Sequence, residues 1–231
     1  MKKYVPDNPQ VVATVTGKAD LEFLLKLPDL SIPLLEFRLD NLSDCLDLVE
    51  KTILQLPSEI QVLITSRHPD EGGAAALSEI ERIAGYNRFL EHSHLIDTEI
   101  RSLDSKAIQE LIAKAHRKNV AVVASFHDFT SCPESELLQE KIDEAFSGGA
   151  DIAKLAVVIS SFSELHRIVE LVESQREIGN AISAMGMGPF GKLSRLALAK
   201  AGSCLNYGYL QKENAPGQWP AAKLRELIAE I

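Results

Sequence analysis

Short apolar runs and longer amphipathic runs alternate along the whole chain, and this alternation limits the possible folds more than any other feature. Each short run is typical of a buried strand, and the segment after it can form a helix. Strands that alternate with helices predict a parallel sheet, because each helix returns the chain to the same edge of the sheet. The eight predicted strands are residues 10–16, 34–40, 60–66, 93–98, 120–126, 151–157, 181–184 and 204–208.

Eight strand–helix pairs in 231 residues fit a (β/α)8 TIM barrel of the α/β class, with residues 1–231 forming a single domain. No tract rich in Pro, Gly or Ser divides the sequence into two domains. A doubly wound open sheet is the alternative, but it more often has fewer strands and a glycine-rich first turn. The first predicted turn, Thr16-Gly17-Lys18, lacks the GxGxxG pattern of such a sheet.

Local signals support several of the helices. Ser161 and Glu164 have the spacing of a capping box, and Gly148-Gly149 follows a helical run and can end it in the left-handed conformation. Apolar residues spaced three or four apart predict the buried faces of three helices. These faces are Leu46, Val49, Ile53 and Leu56; Ile108, Leu111, Ile112 and Ala115; and Leu165, Ile168, Val169 and Val172.

Composition argues against several kinds of partner. The net charge is −9, the isoelectric point is about 5.2 and no stretch is rich in Lys and Arg, so we expect binding neither to nucleic acid nor to an anionic membrane. No apolar run could span a membrane or serve as a signal peptide, which favours the cytoplasm. Cys45, Cys132 and Cys204 form no CxxC pair, so we expect neither a disulfide framework nor a zinc site.

Lys154 interrupts the apolar run that forms the sixth predicted strand. Burial disfavours the charged ammonium form of a lysine. A neutral buried lysine is a nucleophile that can form a Schiff base with a carbonyl compound. The alternative is that Lys154 lies at the end of the strand and extends its amine into water. This segment alone does not decide between the two.

In a barrel of this kind, reactive residues lie at the carboxyl ends of the strands and in the loops that follow. Glu36, Arg38 and Asp40 share one face of the second predicted strand, because side chains alternate along a strand with a period of two. Inside a barrel that face is the lumen. An exposed edge strand would show the same alternation, but the intervening apolar residues Phe37 and Leu39 argue against it.

Further polar residues follow the next three strands. Arg67 can bind an anion or a hydroxyl group, although an arginine in this position is more often a surface residue. Asp97 and Glu99 add carboxylates that can orient neighbouring bases. His127 can act as a general acid and base near neutral pH. A lone histidine is more often structural, and His68, on a loop, is its only rival for the catalytic role.

The last two strands lead into segments suited to substrate binding. Met185 and Met187 can line an apolar wall, although they could equally fill the core. Arg195, on the helix that follows, can bind a carboxylate. Residues 214–218 include a glycine and can form a lid over this end of the barrel.

Together these motifs resemble those of the type I 3-dehydroquinate dehydratase family, and the resemblance covers nearly the whole chain. Any one motif is weak, whereas their order and spacing are specific. The histidine and the lysine lie 27 residues apart, one strand–helix unit, as in that family. The matching segments are Glu36-Phe-Arg-Leu-Asp40, Ser66-Arg67 with Glu71-Gly-Gly73, Ser125-Phe-His-Asp-Phe129, Asp151-Ile-Ala-Lys154, Met185-Gly-Met187, Ser194-Arg195 and Ala215-Pro-Gly-Gln218.

The resemblance implies a barrel that converts 3-dehydroquinate to 3-dehydroshikimate and water in the shikimate pathway, which supplies aromatic amino acids, with no metal or organic cofactor. Lys154 would form an imine with the substrate ketone, His127 would be the general acid and base, and Glu71 would orient His127. The substrate-binding residues that it implies are Arg195 for the carboxylate; Glu36, Arg38 and Arg67 for the hydroxyls and the ring; Met185, Met187 and Tyr207 for the apolar walls; and Asn214 and Gln218 from the lid.

The sequence departs from the family pattern in two places, and two other functions stay open as alternatives. The family usually has serine where this chain has Asn214, and the segment before Gln10 is short for the hairpin that often closes the bottom of the barrel. The resemblance also implies a homodimer. Another Schiff-base barrel, such as a class I aldolase, would share the strand-six lysine but would commonly bind phosphate. A catalytically silent barrel that binds a metabolite or a partner is the third possibility.

Overall fold

The computed structural model describes residues 5–26, 31–213 and 217–231, and within them eight strands alternate with eight α-helices. The strands are β1 (Gln10–Val15), β2 (Leu34–Arg38), β3 (Gln61–Thr65), β4 (Leu95–Glu99), β5 (Ala121–Asp128), β6 (Ile152–Val158), β7 (Ile182–Met187) and β8 (Leu205–Tyr209). The helices are α1 (Lys18–Leu24), α2 (Leu46–Gln55), α3 (Glu79–Phe89), α4 (Lys106–Arg117), α5 (Ser135–Ser147), α6 (Phe162–Glu177), α7 (Gly191–Ala201) and α8 (Ala221–Ala229).

The strands form one parallel sheet in which sequence neighbours are spatial neighbours and β1 also pairs with β8. The remaining seam, between β7 and β8, is bridged in part by serine hydroxyls. The Cys204 amide donates to the Ile182 carbonyl at 2.8 Å, the Ser203 hydroxyl accepts from the Ala184 amide at 3.0 Å, and the Ser183 hydroxyl donates to the Leu205 carbonyl at 2.8 Å. The predicted single-domain TIM barrel is therefore confirmed as a nearly closed barrel.

β5 and β7 run two and three residues further toward the carboxyl end of the barrel than the sequence predicts. The sequence ends β5 at Phe126 and β7 at Ala184, whereas the structure extends them to Asp128 and Met187. The polar and glycine-containing residues there have the composition of a loop, but their backbones continue the ladder on both sides of β6. This extension places His127 opposite Ala156 on β6, so that the histidine is held by a strand and not by a loop.

Two apolar layers support the barrel. One fills the lumen and includes Val12, Leu63 and Val123, and the other lies between the strands and the helices. The predicted helix signals agree with this packing: the Ser161 capping box is formed, and Gly149 has a φ of 92°, in the left-handed region. In the predicted α4 face all four residues are buried. In the predicted α2 face Val49 and Ile53 are buried, and in the predicted α6 face all but Val169 are buried. No described helix is long and apolar enough to cross a membrane.

Candidate active site

A cavity of about 120 Å³ opens at the carboxyl ends of the strands. All the catalytic and substrate-binding residues that the family resemblance implies line it, except Asn214, which lies outside the described residues. Larger grooves exist elsewhere, such as one of about 740 Å³ beside Arg176, Lys200 and Arg225, so volume alone does not identify the site. The residues that line the smaller cavity are Thr14, Glu36, Arg38, Arg67, Glu71, Gly72, His127, Phe129, Lys154, Ala156, Met185, Met187, Arg195, Tyr207 and Gln218.

Lys154 points into the barrel and not into water. It is only 4% exposed, its Nζ lies 2.8 Å from Oδ2 of Asp97, and the same nitrogen lies 4.1 Å from the centre of the Tyr207 ring. The carboxylate and the face of the aromatic ring both favour a positive charge at Nζ. The structure thus supplies a counter-charge that the sequence argument did not include, and the ammonium must lose a proton before it can attack a carbonyl group.

Asp97 is the acidic centre of the site, although the sequence indicated only a supporting role for it. Its Oδ2 accepts from Lys154 and lies 3.1 Å from Nη2 of Arg67, and its Oδ1 accepts from the Ser125 hydroxyl at 2.6 Å. Burial alone would raise the pKa of Asp97, but the charges of Arg67 and Lys154 hold that pKa well below its usual range. Asp97 therefore stays ionised when the site is closed to water.

Arg67 is fixed by carboxylates at its guanidinium group and at its backbone amide, with Asp97 and Glu99 at the former. Its Nη1 donates to Oε1 of Glu99 at 3.0 Å, and its backbone amide donates to Oδ1 of Asp40 at 3.1 Å. Glu99 is shared with Arg82, which reaches it from α3. A buried guanidinium is stable only when its donors are paired in this way. Arg67 thus has a fixed position in the wall of the cavity and is not the surface residue of the alternative interpretation.

His127 and Glu71 form a hydrogen-bonded pair, with 2.9 Å between Nδ1 and Oε2. A one-turn 3-10 helix, Pro69–Glu71, carries the carboxylate, and it ends at Gly72, whose φ of 83° needs the freedom of glycine. Burial, with the charges of Arg67 and Lys154, lowers the pKa of His127 well below its usual value. A histidine whose Nδ1–H donates to Glu71 keeps an unprotonated Nε2, which is the form that a general base requires.

Glu71 itself is held in an environment that disfavours its charge. Burial raises the pKa of Glu71 from 4.5 to about 7, while the charge of Arg67 acts in the opposite direction. The pair that Glu71 forms with His127 therefore gains a proton as the pH falls through about 7. His68, the rival histidine, lies outside the cavity, and its ring accepts from the Asp70 backbone amide.

The acidic and basic residues of β2 divide between binding and support. Oε1 of Glu36 accepts from the Thr65 hydroxyl at 2.7 Å. Arg38 makes two hydrogen bonds to Asp40, at 3.0 and 2.8 Å. Asp40 also accepts from the Ala74 amide and so links this arginine to the loop after β3. The predicted charged face of β2 is confirmed as a lumen face, with Asp40 in the turn that follows.

Arg195 is buried and is held by backbone carbonyls and not by an adjacent carboxylate. Its Nη1 donates to the carbonyl oxygens of Gly186, Gly191 and Gly217 at 2.8 to 2.9 Å, and its Nε donates to the Tyr207 carbonyl. Burial lowers the pKa of Arg195 to about 10, and this value is well above neutral pH. A buried cation with neutral partners is suited to receive an anionic group.

The lid is anchored where the structure describes it. Oε1 of Glu213 accepts from the backbone amides of Gly217 and Gln218 at 2.8 and 3.1 Å. Gly217 packs against α7, where a Cβ atom would lie 2.8 Å from Cα of Gly191. Sequence reasoning identified Gln218 but missed Glu213, whose only signal is that it precedes the predicted lid.

Apolar contacts complete the cavity. Met185 and Met187 are buried in its wall, and Phe129, which the sequence motif contains without a role, stacks beside His127 with ring centres 6.0 Å apart. Among the described residues no cluster of three or more His, Cys, Asp or Glu side chains could hold a metal ion. The polar groups at the centre of the site are thus amine, imidazole, carboxylate and guanidinium.

Comparison with known proteins agrees with this arrangement. Residues 11–231 match the family model described as Type I 3-dehydroquinase. The 3-dehydroquinate dehydratase of Methanosarcina barkeri is 34% identical, and the alignment covers 94% of this chain and 93% of that protein. The 3-dehydroquinate dehydratase of Pyrococcus abyssi is 33% identical, with 94% of this chain and 96% of that protein covered.

Solved structures show the same fold. The crystal structure of 3-dehydroquinate dehydratase from Geobacillus kaustophilus superimposes with a TM-score of 0.85 at 28% identity, covering 96% of this chain and 91% of that one. The type I enzyme of Clostridium difficile, solved with covalently modified comenic acid, has the same TM-score at 24% identity, with coverage of 100% and 97%. These matches favour the dehydratase over the aldolase and the silent barrel. The chain belongs to the type I 3-dehydroquinase family, and it is a hydro-lyase that dehydrates 3-dehydroquinate through a lysine Schiff base in the shikimate pathway.

Proposed function

We propose that Lys154 is the lysine that forms the Schiff base and that His127 is the general acid and base of the dehydration. The observation that carries this proposal is the placement of both residues in the wall of one cavity, with the lysine amine buried beside Asp97. Asp97 stabilises a positive charge at Nζ, and that charge is present both in the free ammonium and in the protonated imine. The protonated imine is a stronger electron acceptor than the ketone.

The reaction then follows from these groups. After it has lost a proton, the Lys154 amine adds to the ketone carbon and water leaves as the imine forms. His127 removes a proton from the carbon next to the imine carbon, and the imine accepts the electron pair. His127 returns the proton to the hydroxyl on the following carbon, which leaves as water. Hydrolysis of the product imine consumes one water molecule, so the net change is the loss of one.

The other cavity residues serve binding in this proposal. Arg195 binds the carboxylate of the substrate, because it is a buried cation in the cavity wall that is held by neutral backbone carbonyls. Glu36, Arg38 and Arg67 position the hydroxyl groups and the ring, and Glu71 orients His127. The walls are formed by Met185, Met187 and Tyr207, and the lid contributes Gln218 and Asn214.

The setting of the enzyme is also part of the proposal. We propose a cytoplasmic homodimer that binds no nucleic acid and needs no metal or organic cofactor. The acidic composition and the three free cysteines support this setting. Light scattering would test the dimer, which requires twice the 25.3 kDa of one chain. Activity that persists in a chelating agent would support the absence of a metal.

Borohydride trapping tests the catalytic assignment. Reduction in the presence of 3-dehydroquinate should add the mass of the reduced ligand to the peptide that contains Lys154, and turnover should be lost with it. Lys154→Ala should abolish both labelling and turnover, whereas the control Lys192→Ala, at an exposed lysine beside Trp219, should change neither. A normal rate in Lys154→Ala would refute the proposal.

A further inference from the structure

Tyr207 has a second chemical group besides the ring that lines the cavity. It lies on β8, it is 3% exposed, and its ring faces the Lys154 amine. The family resemblance assigns this position to an apolar wall, which a ring alone would provide. The phenolic hydroxyl therefore needs a separate explanation.

The hydroxyl of Tyr207 is buried and has no hydrogen-bond partner among the described residues. Tyr86 is the useful comparison, because it is also fully buried in this barrel. Its hydroxyl donates to the Asp97 carbonyl and accepts from the Ser66 amide at 3.1 Å. Buried polar groups in proteins are nearly always paired, and an unpaired one lowers stability. The Tyr207 hydroxyl thus has no hydrogen-bond partner among the described residues, whereas the Tyr86 hydroxyl is paired.

The surroundings determine which kind of partner this hydroxyl can take. Burial, with the negative charges of Glu36 and Asp97, raises the pKa of Tyr207 well above its usual value. The phenol therefore keeps its proton and acts as a hydrogen-bond donor. Oxygen atoms are the acceptors that a polyhydroxylated cyclic ligand brings into such a cavity.

We propose that the Tyr207 hydroxyl is a substrate-binding group that donates a hydrogen bond to a ring oxygen substituent of the bound substrate. The inference rests on the proposed site, in which the substrate occupies the cavity beside Lys154. It gives Tyr207 a polar role that a phenylalanine could not supply, and it makes this residue a determinant of specificity for oxygenated rings. The unpaired hydroxyl is then explained as a group whose partner arrives with the ligand.

The substitution Tyr207→Phe removes one oxygen atom, and two measurements on this variant test whether the hydroxyl binds the substrate. The unfolding temperature of the ligand-free protein should stay the same or rise, because the lost group has no protein partner. The value of kcat/KM should fall about tenfold, because a hydrogen bond to the substrate is lost. The control Tyr86→Phe should lower the unfolding temperature, because its hydroxyl is paired.

Borohydride labelling separates this inference from the assignment of the catalytic lysine. With saturating substrate, Tyr207→Phe should still be labelled at Lys154, since the imine does not require the phenol. Absence of labelling in the unmodified enzyme would overturn the catalytic proposal instead. A Tyr207→Phe enzyme with kcat/KM within twofold of the unmodified enzyme overturns the inference. If its unfolding temperature also falls, the hydroxyl is paired with a buried water molecule.

Discussion

Replacing Glu71 by glutamine should slow catalysis while keeping the shape of the site. The carboxylate lies 2.9 Å from Nδ1 of His127, and both side chains are largely buried. An ionised Glu71 stabilises the imidazolium that forms when His127 takes a proton from the substrate, and glutamine does so less well. A hydrogen bond to a charged group contributes about 1.5 to 3 kcal/mol. Loss of this contribution in the transition state corresponds to a fall in kcat of about 10- to 150-fold.

The pH profile should change as well as the rate. Because the pKa of Glu71 is raised to about 7, the pair with His127 gains a proton as the pH falls through that value, and kcat should decrease on the acid side near pH 7 in the unmodified enzyme. Glutamine cannot titrate, and the pKa of His127 is itself well below its usual value. In Glu71→Gln the acid limb of the pH profile, where kcat decreases, should therefore move to lower pH.

The free energy of unfolding of Glu71→Gln should rise relative to the unmodified enzyme at high pH, although its kcat falls. A carboxyl group whose pKa is higher in the folded protein than in the unfolded chain stabilises the fold fully below the unfolded pKa. That stabilisation is lost as the pH rises through the folded pKa. For Glu71 the window runs from about pH 4.5 to above pH 7, and the rise in pKa corresponds to at most about 3 kcal/mol. At pH 8, compared with pH 5, Glu71→Gln should gain unfolding free energy relative to the unmodified enzyme.

Two assays check these expectations. Ultraviolet absorbance of the conjugated enone product gives kcat from pH 5.5 to 9, and urea unfolding at pH 5 and pH 8 gives the stability difference. Glu140→Gln, at an exposed position on α5, is the matched control and should change neither. An acid limb that stays near pH 7 in Glu71→Gln, with kcat reduced less than threefold, would refute the reasoning.

Three further substitutions test other parts of the site. Asp97→Asn should lower the unfolding free energy by about 3 to 5 kcal/mol in urea titrations, because the Lys154 ammonium loses a buried partner. Glu213→Ala should raise KM about fivefold and change kcat little in steady-state assays, because two backbone amides of residues 217–218 lose their acceptor. Gly186→Ala should cost about 1 to 3 kcal/mol in thermal unfolding, since its Cβ would lie 2.3 Å from a side-chain oxygen.

Glu213→Ala and Gly186→Ala each have a matched control, and Asp97→Asn has a result that would count against it. Lys212→Ala, next to Glu213, should leave KM unchanged, and an equal rise in both variants would mean that the effect is not due to the carboxylate. Gly17→Ala, where a Cβ meets nothing within 4 Å, should leave stability nearly unchanged. A loss below 1 kcal/mol for Asp97→Asn would show that the lysine does not depend on this ion pair.

The alternation of apolar and amphipathic runs was enough to predict the barrel, because eight strands with helical crossovers have few compact arrangements. The sequence also predicted that Lys154 and His127 lie on adjacent strands and face the same site, since the reactive groups of such barrels collect toward the carboxyl ends of the strands. The sequence did not predict where β5 and β7 end. Polar residues and glycine there look like a loop, and only the hydrogen bonds to β6 show that they are strand.

The contacts that decide the chemistry come from the tertiary structure. Asp97 and Lys154 are 57 residues apart, and no local pattern shows that their side chains meet across the lumen. The same holds for Glu213, whose role depends on a backbone turn, and for the hydroxyl of Tyr207, whose lack of a partner appears only when every neighbour is placed.

By itself, the sequence determined the fold and the types of reactive group, because backbone periodicity and residue chemistry are local properties. Only the tertiary structure decided which charges are paired and which donors remain unpaired. Those outcomes depend on burial and on distances of about 3 Å between side chains from different strands. In this barrel they determine that Lys154 is held beside Asp97 and that His127 is held by Glu71.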